Sequence, residues 1–268
     1  MSLSSETCCL VDAHVHLHPC FDVAKCLNAA RLNFQHHANR LKIASPFLGI
    51  LMLTEISGIH AFSDLADRDD RAIGDWTIAK TKESVSLKLT HVSGDVLLLV
   101  AGRQVVTKEK VEVLTLVTDS EIEDGLSLVE TLDRAIAQGS IPVLPWGAGK
   151  WIGDRGRLVQ TALRTAQVFA GDNGGRPGLW PLPKFARMRA FAGETSLVPL
   201  PGSDSLPLSS DIERAGSFGF VVQGVLDDAK PGESLKNLLR NANTTIEPYG
   251  RSLSPWTFIK NQTLLRLA

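Results

Sequence analysis

The chain has 268 residues, with 28 Lys plus Arg against 29 Asp plus Glu and only 6% aromatic residues. Charges this balanced create no field that gathers nucleic acid or acidic membranes, and no basic stripe is present. No apolar run reaches the roughly 20 residues that cross a bilayer. Residues 1–9 lack the charged start and apolar core of a signal peptide, so a cytoplasmic protein is expected. The length suits one domain over residues 1–268, large enough to bury its core without disulfides. Cys8, Cys9, Cys20 and Cys26 form no CxxC pair, and free thiols are expected.

In chain order, Leu10 to Pro19 reads as a strand in which His14, His16 and His18 alternate with Val15 and Leu17. Alternation puts the imidazoles on one face. Imidazoles a strand repeat apart can share a divalent ion, whereas a solvated polar face would need no such cluster. Phe21 to Arg40 carries an apolar stripe at helical spacing, with His36 and His37 at its carboxyl end. Phe47 to Leu53 is a continuous apolar run ending at Glu55, as in a strand buried on both faces. Residues 60–80 read as helix. Residues 84–118 form a β-rich section with strands at 85–89, 95–100 and 111–116, the stretch 102–110 linking the last two and His91 in an exposed turn.

Ser120 with Glu123 makes a capping box for a helix running to Ile136, and Gly139 ends it. A strand at 141–144, a helix near 156–167, a strand at 168–170 and a helix near 183–192 follow. The strand 197–200 leads to Gly202-Ser203-Asp204, and a last helix covers 232–242. The tail from 245 to 268 has no clear pattern. The alternation of strand and helix, with polar residues recurring where strands end, predicts an α/β fold built as a distorted TIM-like (β/α) barrel, the β-rich section inserted near residues 84–118.

Those strand ends supply the candidate residues. His14, His16, Glu55 and Asp204 are candidate metal ligands, and Asp204 and Glu55 candidate general bases for water. Asp204 also suits a Gly-Ser-Asp turn, and Glu55 also suits a residue emerging into solvent. Trp146 and Lys150 flank a flexible Gly-Ala-Gly stretch that could hold an anion, although it does not match a Walker A loop. Asp172, Asn173 and Arg176 surround a Gly174-Gly175 turn, and His60 follows Glu55; each is a candidate substrate contact.

The opening Asp12-x-His14-x-His16 resembles the first motif of the polymerase and histidinol phosphatase (PHP) family of metal-dependent phosphoesterases. Later stretches follow the family's order. Leu53-Thr54-Glu55-Ile56 stands where the family has Leu-Thr-Asp-His, and Ala101-Gly102-Arg103-Gln104 where it has Pro-Gly-Ile-Glu. Val111-Glu112-Val113-Leu114 resembles its histidine-containing strand, Val143-Leu144-Pro145-Trp146 its Ala-His-Pro strand end, and Gly202 to Leu206 its Gly-Ser-Asp-Ala-His. The resemblance implies a distorted barrel with metal ions at its strand ends. It also implies Glu112 as an oxygen ligand in place of a histidine. Ile56, Gln104, Trp146 and Leu206 depart from the family's ligands, so one or two ions of zinc, manganese or iron, or none, are expected rather than three. The implied function is a metal-dependent phosphoesterase acting on a small molecule. The alternatives are an amidohydrolase acting on C–N or ester bonds, whose superfamily shares the HxH strand and late Asp, and a non-catalytic barrel that binds a small ligand or partner.

Overall fold

The computed structural model describes residues 6–267, apart from 148, 166, 181–182, 184–198 and 242. The helix expected at 183–192 falls almost entirely outside these residues. The strands are β1 (Thr7–Val15), β2 (Leu48–Leu53), β3 (Ala72–Ile73), β4 (Trp76–Lys80), β5 (Ser86–His91), β6 (Val96–Val100), β7 (Gly102–Val106), β8 (Glu112–Leu116), β9 (Ile141–Trp146), β10 (Phe169–Asn173), β11 (Leu200–Gly202), β12 (Phe218–Gly224) and β13 (Glu247–Gly250). The helices are α1 (Val23–Leu41), α2 (Ala61–Ala66), α3 (Leu128–Ala137), α4 (Asp154–Thr165), α5 (Pro231–Arg240) and α6 (Pro255–Leu267).

The strands form two mixed sheets, one of eight strands in the order β13-β12-β1-β2-β6-β5-β4-β3 and one of five in the order β11-β10-β9-β8-β7. Among the described residues neither sheet closes, which corrects the expected TIM-like barrel. Parallel pairing between named strands joins only β1 to β2 and β2 to β6 in the first sheet, and β9 to β10 and β10 to β11 in the second. Antiparallel pairings extend both sheets instead of repeated helical crossovers: β1 with β12 and β5 with β6 in the first, β7 with β8 and β8 with β9 in the second. The run Phe218-Gly219-Phe220-Val221-Val222 pairs directly with β1, with Val11 opposite Phe220.

Strand alternation sets the layers. Ile50, Met52, Leu98 and Val100 face the second sheet, where they meet Leu114, Val143 and Phe169. Leu51, Leu53, Leu97 and Leu99 face the other way, onto Leu27, Ala30 and Phe34 of α1. Both faces of β2 are therefore apolar, which explains its unbroken hydrophobic run. The outer face of the second sheet, with Val113, Leu144 and Trp146, is covered by Leu128 and Leu132 of α3 and Val159 of α4.

The two sheets meet at two glycines. At Gly102, the start of β7, an added Cβ would collide with the Leu53 and Thr115 carbonyl oxygens; at Gly202, the end of β11, it would collide with the His14 backbone. Only glycine permits both approaches. Backbone bonds cross each junction: Glu55 N–H donates to Gly102 O at 3.0 Å, and Asp204 N–H donates to His14 O at 2.8 Å.

Several local expectations change. Only α2 forms within residues 60–80, because Trp76 to Lys80 alternates between buried and exposed as strand β4. The linker 102–110 contains β7, and His91 is buried at the end of β5, bonded through Nδ1 to Ser93. The helix assigned to Ser120 starts seven residues later, where Ser127 Oγ accepts the Glu130 N–H at 3.2 Å. Glu123 instead pairs with Arg134. The unplaced tail supplies β13 and α6.

Candidate metal centre

The site is built where β1 ends against β11. Along β1, Cys9, Val11 and Ala13 belong to the core between the sheets, yet Val15 and Leu17 belong to the core under α1. The face parity switches at a register shift between Asp12 and Val15 in the pairing with β2. Such an irregularity re-aims side chains. As a result Asp12 and His14 serve different ends although they stand two residues apart.

Asp12 is fully buried and works as a clamp. Its Oδ1 accepts the Ser203 N–H at 2.8 Å and the His14 N–H at 3.2 Å, and its Oδ2 accepts the Gly216 N–H at 2.8 Å. Burial pushes the Asp12 carboxyl up to about 6 against the pull of these donors. The clamp aligns Ser203 and Ser205 beside β1, where Ser205 Oγ donates to His16 O at 3.2 Å and the His18 ring meets Ser205 O at 2.8 Å. Between the two serines Asp204 adopts a left-handed φ of +48°, a conformation uncommon for a side-chain-bearing residue and frequent at functional sites.

His14, His16 and Asp204 converge there, with ligand-type atoms all within 4.8 Å of one another. The two Nε2 atoms lie 3.0 Å apart, and each is 3.3 Å from Asp204 Oδ1. Gln104 Oε1 of β7 stands 3.2 Å from His14 Nε2, and Asn173 Nδ2 of β10 donates to Asp204 Oδ2. Burial pushes His14 down to about 3, so its ring is neutral at ordinary pH and offers a nitrogen lone pair. Burial alone would raise Asp204, but the two imidazoles and Lys150 outweigh it and hold the carboxyl well below its ordinary range. Two aromatic nitrogens and one ionised oxygen turned toward one point are a donor set that suits zinc, manganese or iron. The cluster could bind a metal ion.

A cavity of about 550 Å³ opens in front of the cluster. Its lining includes His16, Asp204, Gln104, Glu112, Lys150, Asn173 and Arg176. Lys150 Nζ pairs with Glu112, which together with Asp204 raises the ammonium above its ordinary value despite burial. Arg176 grips Asp172 through Nε at 2.6 Å and Nη2 at 2.9 Å. Glu112, Lys150, Asn173 and Arg176 are therefore brought to the cavity, with Asp172 behind Arg176.

Three candidates stand elsewhere. Glu55 Oε1 accepts the Phe62 N–H at 2.7 Å, and its Oε2 lies 3.2 Å from Arg103 Nη1. His60 bonds the other side of Arg103 at 2.9 Å. Trp146 is buried in the outer core against Trp151. Sequence reasoning left Asp12, the α6 residues Phe258 and Gln262, and Gln104 out of the candidate site. The alternation of β1 carries a signal for Asp12, a carboxylate in an otherwise apolar strand; the polar and apolar residues of α6 carry none.

The fold and cluster together define a two-sheet α/β protein with a buried His-His-Asp site able to take a metal ion. Neither a family model nor a curated protein matches the chain. Among solved structures it is similar to PsfC from Pseudomonas syringae PB-5123, with a TM-score of 0.56 and 12% identity over 97% of this chain and 98% of that one. It is also similar to the lesion-specific endonuclease PfuEndoQ from Pyrococcus furiosus, with a TM-score of 0.51 and 13% identity over 90% of this chain and 58% of that one. Identities this low speak to fold alone. Among the described residues no helix is long and apolar enough to cross a membrane.

Proposed function

We propose that the protein is a metal-dependent hydrolase of PHP type acting on small phosphate esters, with His14, His16 and Asp204 holding one divalent ion. The observation that carries this reading is the convergence of two Nε2 atoms and one carboxylate oxygen beside a cavity of substrate size. His14, His16 and Asp204 would hold the ion, and when bound it would supply Lewis-acid activation of water and of a phosphoryl oxygen. The likeness in fold to a lesion-specific endonuclease is consistent with phosphoester chemistry.

The chain's own residues set the charge of the site. Glu112 matches Lys150 and Asp172 matches Arg176, while His14 stays neutral. Asp204 leaves these side chains with a net negative charge, which a bound divalent ion would reverse, favouring an anionic substrate. Lys150 and Arg176 then stand ready for its non-bridging oxygens. Asn173 holds Oδ2 of Asp204 and leaves Oδ1 facing the imidazoles. Asp12 fixes the backbone on both sides of the cluster. The cleaved bond and the single-domain organisation belong to the same proposal.

Elemental analysis of purified protein, compared with His16→Ala and Asp204→Ala, is the test. Close to one equivalent of metal in the wild type, lost in both variants, supports the reading, and turnover of an aryl phosphate in preference to an aryl amide completes it. Protein that carries no metal and takes up neither zinc nor manganese overturns it in favour of a binding role. Metal-loaded protein that cleaves only the amide favours an amidohydrolase.

A further inference from the structure

The cavity wall is partly apolar: Ile56, Ile59, Leu206, Pro207 and Phe258 line it along with the charged residues. Ile56 is 39% exposed, an apolar side chain facing open space within a cleft. Leu206 and Phe258 of this wall are held in place by one buried carboxylate. Asp211 Oδ2 accepts the Leu206 N–H at 3.1 Å, and its Oδ1 accepts from Asn261 Nδ2 at 3.3 Å. Asn261 lies three residues from Phe258 on α6, so Asp211 ties Leu206 and the Phe258 helix to one point. A second tie holds the segment before α6 to the loop beside the metal ligands: Leu253 N–H donates to Gly174 O at 3.1 Å, and Gly178 N–H donates to Leu253 O at 3.1 Å.

We propose that this wall is an apolar subsite and that the substrate is a small amphiphile, an alkyl or aryl phosphate monoester. Its anion sits at the charged residues and its organic group against Ile56, Leu206 and Phe258. The proposal rests on the reading of the cluster as a metal centre for phosphate esters. A volume of about 550 Å³ accommodates such a molecule. A polynucleotide would set its charged backbone against the apolar residues, and among the described residues that line the cavity the cations, Lys150 and Arg176, are each already paired with a carboxylate.

Calorimetric titration of manganese-loaded protein with inorganic phosphate, methylphosphonate, butylphosphonate and phenylphosphonate tests the subsite by binding alone. Affinity rises roughly fourfold per added methylene if the chain is fully buried against the wall. Phe258→Ala and Leu206→Ser flatten that rise, and Asn261→Ala flattens it while leaving Phe258 in the chain. A flat series in the wild type overturns the subsite, as does an unchanged rise in Phe258→Ala and Leu206→Ser variants whose circular dichroism matches the wild type. Tight inorganic phosphate with a flat series keeps the metal centre and rejects the subsite. A chain-length dependence in protein that takes up no metal keeps the subsite and rejects the metal centre. No binding at all rejects both, and a single-stranded oligonucleotide that displaces phenylphosphonate overturns the small-amphiphile reading.

Discussion

Asp204 and Glu55 are carboxylates just past the end of an apolar strand, the first partly buried and the second buried, yet they are put to opposite uses. Asp204 turns its Oδ1 to two imidazole nitrogens at 3.3 Å each. Glu55 turns one oxygen to the amino end of α2 and the other to Arg103. The first carboxylate faces two imidazole nitrogens that can share an added cation with it; the second already has a cation. Arg103 also reaches Glu121, His60 and the Ile59 carbonyl, so the Glu55 centre is a structural knot between β2, α2 and β7. A strand-end position therefore selects candidates, and the partner chemistry decides among them.

The largest effect is expected at Asp12, the carboxylate that supports the Asp204 side without facing the cluster. Asp12→Ala leaves three buried backbone N–H groups without their acceptor and costs about 3 kcal/mol or more in urea unfolding, with metal uptake lost as Ser203 and Asp204 move. A variant that unfolds like the wild type would show that the clamp is dispensable. The next effect separates the two centres. Glu55→Gln keeps an acceptor for Phe62 but leaves Arg103, 12% exposed, without its closest buried counter-charge. Burial already disfavours the ionised Glu55, so a change within about 1 kcal/mol is expected, with metal content unchanged. Loss of metal in this variant would erase the distinction drawn between the centres and restore Glu55 as a ligand.

This contrast also marks what could be read from the chain beforehand. The HxH strand, the buried run of β2 and the Gly-Ser-Asp segment were legible, because apolar alternation and turn chemistry act over a few residues. His14, His16 and Asp204 do come together. Glu55 passed for a ligand because local pattern is blind to Arg103, a partner 48 positions away that reaches it only when Gly102 wedges β7 against β2. The barrel failed for a related reason. A strand buried on both faces reads as an apolar run whichever way its neighbour points, so the pairing of β1 with β12 was not visible, and the short β3 and β4 were hidden in a stretch with helix-like spacing. Phe258 became a cavity residue through Asn261 and Asp211, a contact spanning 50 positions.

The ionisation of Glu55 gives a smaller and more specific readout. Burial pushes its carboxyl above the ordinary value of 4.5, and the Phe62 N–H and Arg103 only partly oppose that push. A carboxyl raised in the folded state contributes stability that is complete below 4.5 and is lost as pH rises through the folded value. Wild-type stability measured against Glu55→Gln should therefore fall across that window as pH rises. A rise in the same window would mean that Arg103 dominates, and that Glu55 resembles Asp204 in its electrostatics after all.

The smallest expected effect concerns the thiols of the segment that carries the histidines. Cys9 lies in the core between the sheets, where burial and then its neighbour Cys8 push its thiol up to about 12. Cys26 of α1 is pushed up to about 12 mainly by burial, whereas Cys20, beyond the end of β1, is exposed. Because the thiolate is the reactive form, N-ethylmaleimide near neutral pH should label Cys20 quickly and half-buried Cys8 slowly. Cys9 and Cys26 should react only after denaturation. Cys20→Ser removes the fast phase with a change in stability within about 0.5 kcal/mol. Rapid labelling of Cys9 in the native protein would mean that β1 opens away from β12. The strand would then be too mobile to hold His14 and His16 against Asp204, and the metal-centre side of the comparison would lose its rigid support.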